Sequence, residues 1–430
     1  MSKHSYWIAL VMVAALVAPL PALVQPESRD GRTGLRFNPD ISVVIDSIFY
    51  GYDGPGPLGD ALEALQGFGH AHGPGDDHHH HHHHDHGFEK GFNLRHLEVM
   101  LSADVDPYFK GWATVAVDTD GAELEEAVVL TTALPLGLQV KLGKFFSDFS
   151  RINAQHAHEW NFVDAPLIHH VLLGDHGLNE IGLQLSWLTP APFFLQAGIE
   201  VLQGKNETAF EYHGDGPLPE RSNPRLFVGW LRAAPNLTGR HALQFGVFAG
   251  RGVRQEEHLG PDGDDDIGSH YLDGHQWLYG ADFVYRYTPP RAYGHGSFIL
   301  EGGYLARKKE VDLIAHNNPE RAGLIGRTRK EMQDGLYLQA AYGFAPRWRL
   351  GLRGEVLGLT NKWQLPNGAE RSFDESYRAT AMIDWTLTEF SRLRLQGSHG
   401  RYDLEDGKKD IQEVLLQAVF TFGSHGAHRF

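Results

Sequence analysis

Seven consecutive histidines, His78, His79, His80, His81, His82, His83 and His84, are preceded by His70, His72, Asp76 and Asp77 and followed by Asp85 and His86. Neutral imidazole nitrogen is a good ligand for Zn2+, Cu2+ and Ni2+, and neighbouring carboxylates add harder oxygen donors. Glycine and proline between Gly67 and Gly91 disfavour a packed core. The segment therefore reads as a solvated array that holds several ions in interchangeable arrangements. Its internal position argues against a terminal tag. Low-complexity drift and a loop that gains charge near about pH 6 are the competing readings.

A second cluster, His156, His158, Glu159, Asp164, His169, His170, Asp175 and His176, falls within residues 149–178. As a set it suits a metal transfer site. The plain alternative is ordinary loop hydrogen bonding, with Trp160, Phe162 and Pro166 packing the loop. A third set is cationic: Arg347, Arg349, Arg353, Arg378, Arg392 and Arg394, with Glu98, Glu200, Glu355 and Asp384 as opposing acids. Segregated charge across a water-filled lumen orients small solutes, whereas the same residues paired with one another would fill the interior.

The elements that carry these residues alternate with period two. Arg347, Arg349, Arg353 and Glu355 alternate with Trp348, Leu350, Leu352 and Val356; Arg378, Thr380, Met382 and Asp384 alternate with Tyr377, Ala379, Ala381, Ile383 and Trp385. One apolar face and one polar face per strand is the pattern of a barrel with lipid outside and water inside. Candidate strands start near Ile41, Asn93, Tyr108, Leu124, Leu138, Glu180, Phe193, Arg225, His241, Gln276, Gly296, Leu336, Arg347, Ser376, Phe390 and Ile411. The fold class expected is all-β: a transmembrane antiparallel β-barrel of about 16 strands.

Connections set the orientation. Asp104 to Pro107, Ala133 to Pro135, Thr189 to Pro192, Ala345-Pro346 and Thr388-Glu389 are short, and 51–91, 149–178, 203–223, 251–274, 307–334 and 359–374 are long. Short turns on the periplasmic rim and long loops on the extracellular rim fit. The histidine run then lies in the first extracellular loop, 51–91, and the second cluster lies in the third, 149–178. Folded inward, the third loop would narrow the lumen. Sixteen strands leave an aqueous channel, so an open lumen lined by the arginines is expected.

Residues 1–22 read as a signal peptide, with Lys3 and His4 before the apolar run Trp7 to Val17 and Ala22 as the last residue before cleavage. A short periplasmic segment, 23–37, precedes the barrel, 38–430. The last strand sets Val414, Leu416, Ala418, Phe420 and Phe422 against Glu413, Gln417 and Thr421, and the chain ends in Phe430. Such an ending resembles the insertion signal of outer-membrane barrels, although Gly423 to Arg429 separates strand from terminus. Cysteine is absent and the formal net charge is −16. The acidic balance excludes nucleic acid as a partner. Neither Gly-x-Ser-x-Gly nor His-Glu-x-x-His occurs, and no enzyme is expected.

Together these features resemble the sixteen-stranded phosphate-selective and related substrate-specific porins. The stretches Gly143-Lys-Phe-Phe-Ser147 and Gln155-His156-Ala-His158-Glu-Trp160-Asn-Phe-Val-Asp164-Ala-Pro-Leu167 look like a group of histidine-rich outer-membrane barrels linked to zinc-responsive control. That resemblance, over residues 38 to 430, implies metal uptake. Members are sometimes labelled TonB-dependent receptors, but an energised receptor needs a larger barrel and a plug domain, for which this length leaves no room. The expected function is a bacterial outer-membrane, porin-like channel for divalent metal, Zn2+ first and Cu2+ or Ni2+ otherwise. Metal ions and outer-membrane lipid are its partners, and a homotrimer is left open as the assembly. The alternative is an anion or general small-solute porin with incidental histidines.

Overall fold

Along the strand Ser376–Thr388, Tyr377, Ala379 and Ala381 are exposed, and Ser376, Arg378, Thr380, Met382 and Asp384 are buried. The same alternation repeats around the molecule. Leu142, Ile181, Ile199, Phe227, Val247, Leu338, Leu352, Leu395, Val414 and Phe422 point outward and are exposed. Glu98, Lys141, Gln184, Glu200, Glu301, Gln339, Arg353, Gln396 and Gln417 point inward and are buried. An exposed apolar exterior around a polar interior inverts the usual soluble arrangement and needs lipid as its solvent.

The computed structural model describes residues 39–68, 88–119, 121–214, 216–258 and 270–423. The histidine run from His70 to His86, with Asp76, Asp77 and Asp85, lies outside them, as do residues 1–37 and Phe430.

The strands are β1 (Asp40–Asp53), β2 (Gly91–Asp106), β3 (Phe109–Val117), β4 (Ala122–Thr131), β5 (Leu138–Phe146), β6 (Asn179–Leu188), β7 (Phe194–Leu202), β8 (Leu226–Ala234), β9 (His241–His258), β10 (His270–Tyr287), β11 (Phe298–His316), β12 (Thr328–Ala345), β13 (Trp348–Leu357), β14 (Lys362–Gln364), β15 (Glu370–Ser372), β16 (Ser376–Thr388), β17 (Ser391–Leu404) and β18 (Gly407–Gly423). β14 and β15 form a small hairpin in a loop; the other sixteen make the wall. Each wall strand pairs antiparallel with its sequence neighbours, and β1 pairs with both β2 and β18, closing the barrel. Closure leaves no strand edge exposed to lipid.

Wall height is uneven. β3 to β8 have 9 or 10 residues each, and β9 to β12 have 18 or 19. The tall strands correct the loop boundaries read from sequence: β10 begins at His270 rather than Gln276, and β12 at Thr328 rather than Leu336. Above the hydrocarbon layer both faces meet water, so the apolar alternation fades although the ladder continues. Lys308 and Glu310, paired at 2.8 Å on the outer face of β11, show this.

Three extracellular loops turn into the barrel. The first carries α1 (Leu58–Glu63), the third α2 (Leu167–Leu173) and the fourth α3 (Glu207–Phe210). Leu62, Leu65 and Phe68, Phe149, Ile152, Leu167, Ile168 and Leu172, and Phe210 form one apolar core with wall residues Phe145, Leu202, Leu226 and Tyr337. The extracellular half of the lumen is therefore packed with loop, which corrects the expectation of an open bore. In the periplasmic half a cavity of about 580 Å³ remains, lined by Trp112, Gln139, Lys141, Asp148, Gln184 and Arg232 among others.

Candidate functional site

The wall strands β2 and β4 each carry a β-bulge. In β2, Asp46 of β1 faces His96 and Ser47 faces Leu94, leaving Arg95 as the extra residue. Before the bulge Phe92 and Leu94 are the outward, exposed residues; beyond it Leu101 is. One extra residue reverses the parity of a strand. Without it His96 and Glu98 would share the outward face with Phe92 and Leu94. With it, both point into the lumen and are buried. In β4, Thr114 of β3 faces Glu126 and Val115 faces Leu124, so Glu125 is the extra residue. Glu125 and Glu126 consequently both reach the lumenal side, and Leu124 stays exposed to lipid.

Beneath this pair of carboxylates, β5 approaches β4 closely at Gly143, which has φ +132°; a Cβ there would lie 1.8 Å from the Ala127 carbonyl oxygen. Only glycine permits that approach.

The third loop closes over the bulged strands. Ser147, Asp148 and Gln184 gather around Glu200, which anchors the loop's start. Residues 157–159 form a single 3-10 turn that brings His156 and His158 against β2 and β4. His96 Nε2 lies 2.7 Å from Glu98 Oε1, and His158 Nδ1 lies 3.1 Å from the same oxygen. His156 Nδ1 is 3.4 Å from Glu98 Oε2 and 3.4 Å from Glu125 Oε2, while its Nε2 is 3.1 Å from Glu126 Oε2. Trp112 Nε1 also donates to Glu126 and links the cluster to the periplasmic cavity. Among the described residues the ion-pair partners of Glu98 are three histidines and no lysine or arginine. His96 Nε2, His156 Nδ1 and Glu125 Oε2 are buried without a hydrogen-bond partner. Burial opposes charge on His156, but Glu98, Glu125 and Glu126 hold its protonated form well above the ordinary histidine range. Two donors on one tetrahedral zinc, each about 2.0–2.1 Å from the ion, stand roughly 3.3 Å apart, so these nitrogens and oxygens have the chemistry and the spacing of a metal site.

The remaining residues of the expected loop cluster do other things. Asp164 accepts from Arg353 and Arg378, each at 2.7 Å, and from Gln396, and the two guanidinium groups hold its carboxyl well below the usual range despite burial. His169 packs edge-on against Tyr337, and burial pushes it down to about 4. His170 pairs with Asp175, which raises it against the effect of burial. His176 is exposed, 3.5 Å from Glu123. The third loop thus brings His156 and His158 together with wall carboxylates and disperses the rest.

The arginine set also departs from the open-lumen expectation. Arg353 and Arg378 are buried against Glu355 and Asp164, and Arg394 is buried against Asp384. Arg349 forks onto Asp384, and Arg392 donates to the His158 carbonyl. Arg347 lies in the periplasmic turn before β13 with φ 70°, its guanidinium over the Tyr293 ring, and does not line the lumen. Sequence alternation found the inward arginines; it could not show that the third loop supplies Asp164 to neutralise them. His96, Glu125 and Glu126 were missed altogether. The available signal was the parity break from Phe92 and Leu94 to Leu97, Val99 and Leu101.

A closed sixteen-stranded antiparallel barrel with short periplasmic turns and an inward third loop defines a transmembrane β-barrel. The fold is similar to that of OmpT, an outer-membrane protein of Vibrio cholerae. Its loop L8 deletion mutant superposes with TM-score 0.52 at 10% identity, over 90% of this chain and 99% of that one. The in-vitro folded trimer form superposes with TM-score 0.50 at 10% identity, over the same shares. No protein-family model matches the chain. It belongs to the same family as a protein of Aquifex aeolicus (strain VF5) described as "Uncharacterized protein", to which it is 37% identical over 405 residues, 92% of this chain and 80% of that one.

Proposed function

We propose that this barrel is an outer-membrane channel that admits divalent metal of the zinc class, which it selects at the His–Glu cluster between the third loop and strands β2 and β4. The observation that carries the reading is Glu98, a buried carboxylate whose ion-pair partners are His96, His156 and His158. Buried carboxylates are normally paired with Lys or Arg, or coordinate a metal. Imidazole with carboxylate is a donor set for zinc, with copper and nickel as competitors.

The histidine run acts in this reading as a collector. Its flanks are anchored inside the extracellular mouth: Phe68 belongs to the lumenal core, and Phe88 packs against Tyr50. Cations concentrated there enter beside Glu123 and His176, bind at Glu98, and leave past Trp112 into the periplasmic cavity. A cleaved signal peptide ending near Ala22 and a homotrimeric assembly complete the reading, the latter in line with the trimer form of OmpT.

Purified protein in liposomes loaded with a zinc-sensitive dye should pass Zn2+ faster than K+-sized solutes alone would predict, and His156→Ala with His158→Ala should slow Zn2+ entry about tenfold or more. Equal rates for both proteins would remove the cluster from transport. A second reading, a pore for small anions, rests on Arg349 and Arg392, which are half-buried on the lumenal wall. Anion-selective conductance unchanged by zinc would favour it.

A further inference from the structure

We propose that the lumenal cluster holds two divalent cations side by side, in stations that share the carboxylate of Glu98. This rests on the metal reading above and adds to it a stoichiometry and a means of release.

The donor atoms divide according to which Glu98 oxygen they face. On the Oε1 side are His96 Nε2 at 2.7 Å and His158 Nδ1 at 3.1 Å. On the Oε2 side is His156 Nδ1 at 3.4 Å, with Glu125 Oε2 another 3.4 Å from that nitrogen. Within each set the donors lie within 4.8 Å of one another. One tetrahedral ion cannot take both sets, because the two oxygens of a carboxylate direct their lone pairs to different places. Two ions bridged by that carboxylate can, at the separation of about 3.5–4 Å common to two-metal sites.

Donor atoms without an aligned hydrogen bond among the described residues belong to both stations. His96 Nε2, on a residue more than nine-tenths buried, belongs to the first; His156 Nδ1 and Glu125 Oε2 belong to the second. Glu126 has a different role. It faces His156 Nε2 at 3.1 Å, so a proton kept on that nitrogen would leave Nδ1 to ligate beside Glu98 and Glu125. Such a carboxylate behind a ligating histidine fixes its tautomer and strengthens it as a donor.

The two stations differ in chemistry. The first offers two imidazoles and a carboxylate, the softer set; the second offers one imidazole and two carboxylates. A channel needs binding strong enough to select and weak enough to release, and repulsion between ions in adjacent sites resolves that conflict. An ion entering the second station, nearer Glu123 and His176, loosens the ion held by His96 and His158.

The test is zinc counted by equilibrium dialysis against buffered Zn2+, with full-length protein folded in detergent. The histidine run contributes equally to every variant, so differences from the unaltered chain are read. Glu98→Gln should lose two ions per chain, His96→Ala one, Glu125→Gln one, and the double variant His96→Ala with Glu125→Gln two. The last comparison stands even if Glu98→Gln fails to fold. If the double variant loses only one ion, the two-station arrangement is overturned and the single metal site survives. If no variant changes the count, both it and the metal reading fall.

Discussion

Two walls of the barrel face the third loop, and they treat charge differently. On the β13–β17 side three carboxylates meet guanidinium: Glu355 and Asp164 meet Arg353 and Arg378, and Asp384 meets Arg349 and Arg394. Those charges neutralise one another and fix the loop. On the β2–β4 side Glu98 meets imidazole only. Guanidinium never gives up its proton in this setting, so the first wall is permanent. Imidazole exchanges a proton for a metal near neutral pH, so the second wall is exchangeable. The difference separates a structural seam from a ligand site built of equally buried charge.

The comparison can be broken at its permanent side first. Arg378→Met leaves Glu355 and Asp164 short of a partner and should destabilise the folded barrel by about 3–5 kcal/mol, read from urea unfolding. Zinc binding at β2–β4 should persist in the fraction that stays folded. Loss of zinc binding along with stability would mean that the walls are not independent.

Acid should act on the same seam through His169. Its folded pKa of about 4 lies below the ordinary 6.5, so the unfolded loop binds the extra proton between those values. Stability from neutral His169 is therefore present above about pH 6.5 and is lost as pH falls to about 4, a change on the order of 3 kcal/mol. Single-channel conductance should rise over that window as the loop loosens, and His169→Phe should flatten the response. A response unchanged by that substitution would assign the pH effect elsewhere.

The exchangeable side gives binding effects beside stability effects. His156→Ala with His158→Ala should weaken zinc affinity about 100-fold, and because it takes two of the three imidazole partners from Glu98 it should also lower the urea midpoint. Glu126→Gln, which touches no ion in this account, should cost about tenfold in affinity through the orientation of His156. An effect as large as that of the histidine pair would place Glu126 among the ligands. Because His156 is held protonated without metal, zinc binding should also release protons, measured by calorimetry in buffers of different ionisation enthalpy.

Much of the barrel was legible in sequence because lipid outside and water inside impose a strict period of two. Strands such as β5, β9 and β16 begin where the alternation places them, at Leu138, His241 and Ser376. The length of the third loop, 149–178, only allowed it to fold inward and did not require it. Legibility ended where one residue changes parity. Arg95 and Glu125 are extra residues in their ladders, and averaging over alternation hides the shift that turns His96 inward beside Glu98. It ended again where a contact depends on the tertiary fold: Asp164 reaches Arg353 and Arg378 across a sequence gap that no local pattern spans.

Anomalous diffraction at the zinc absorption edge, from crystals equilibrated with zinc, tests the central claim most directly. Two peaks should appear beside Glu98, one bounded by His96 and His158 and the other by His156 and Glu125. A cluster left empty at a zinc concentration that saturates the protein elsewhere would contradict it.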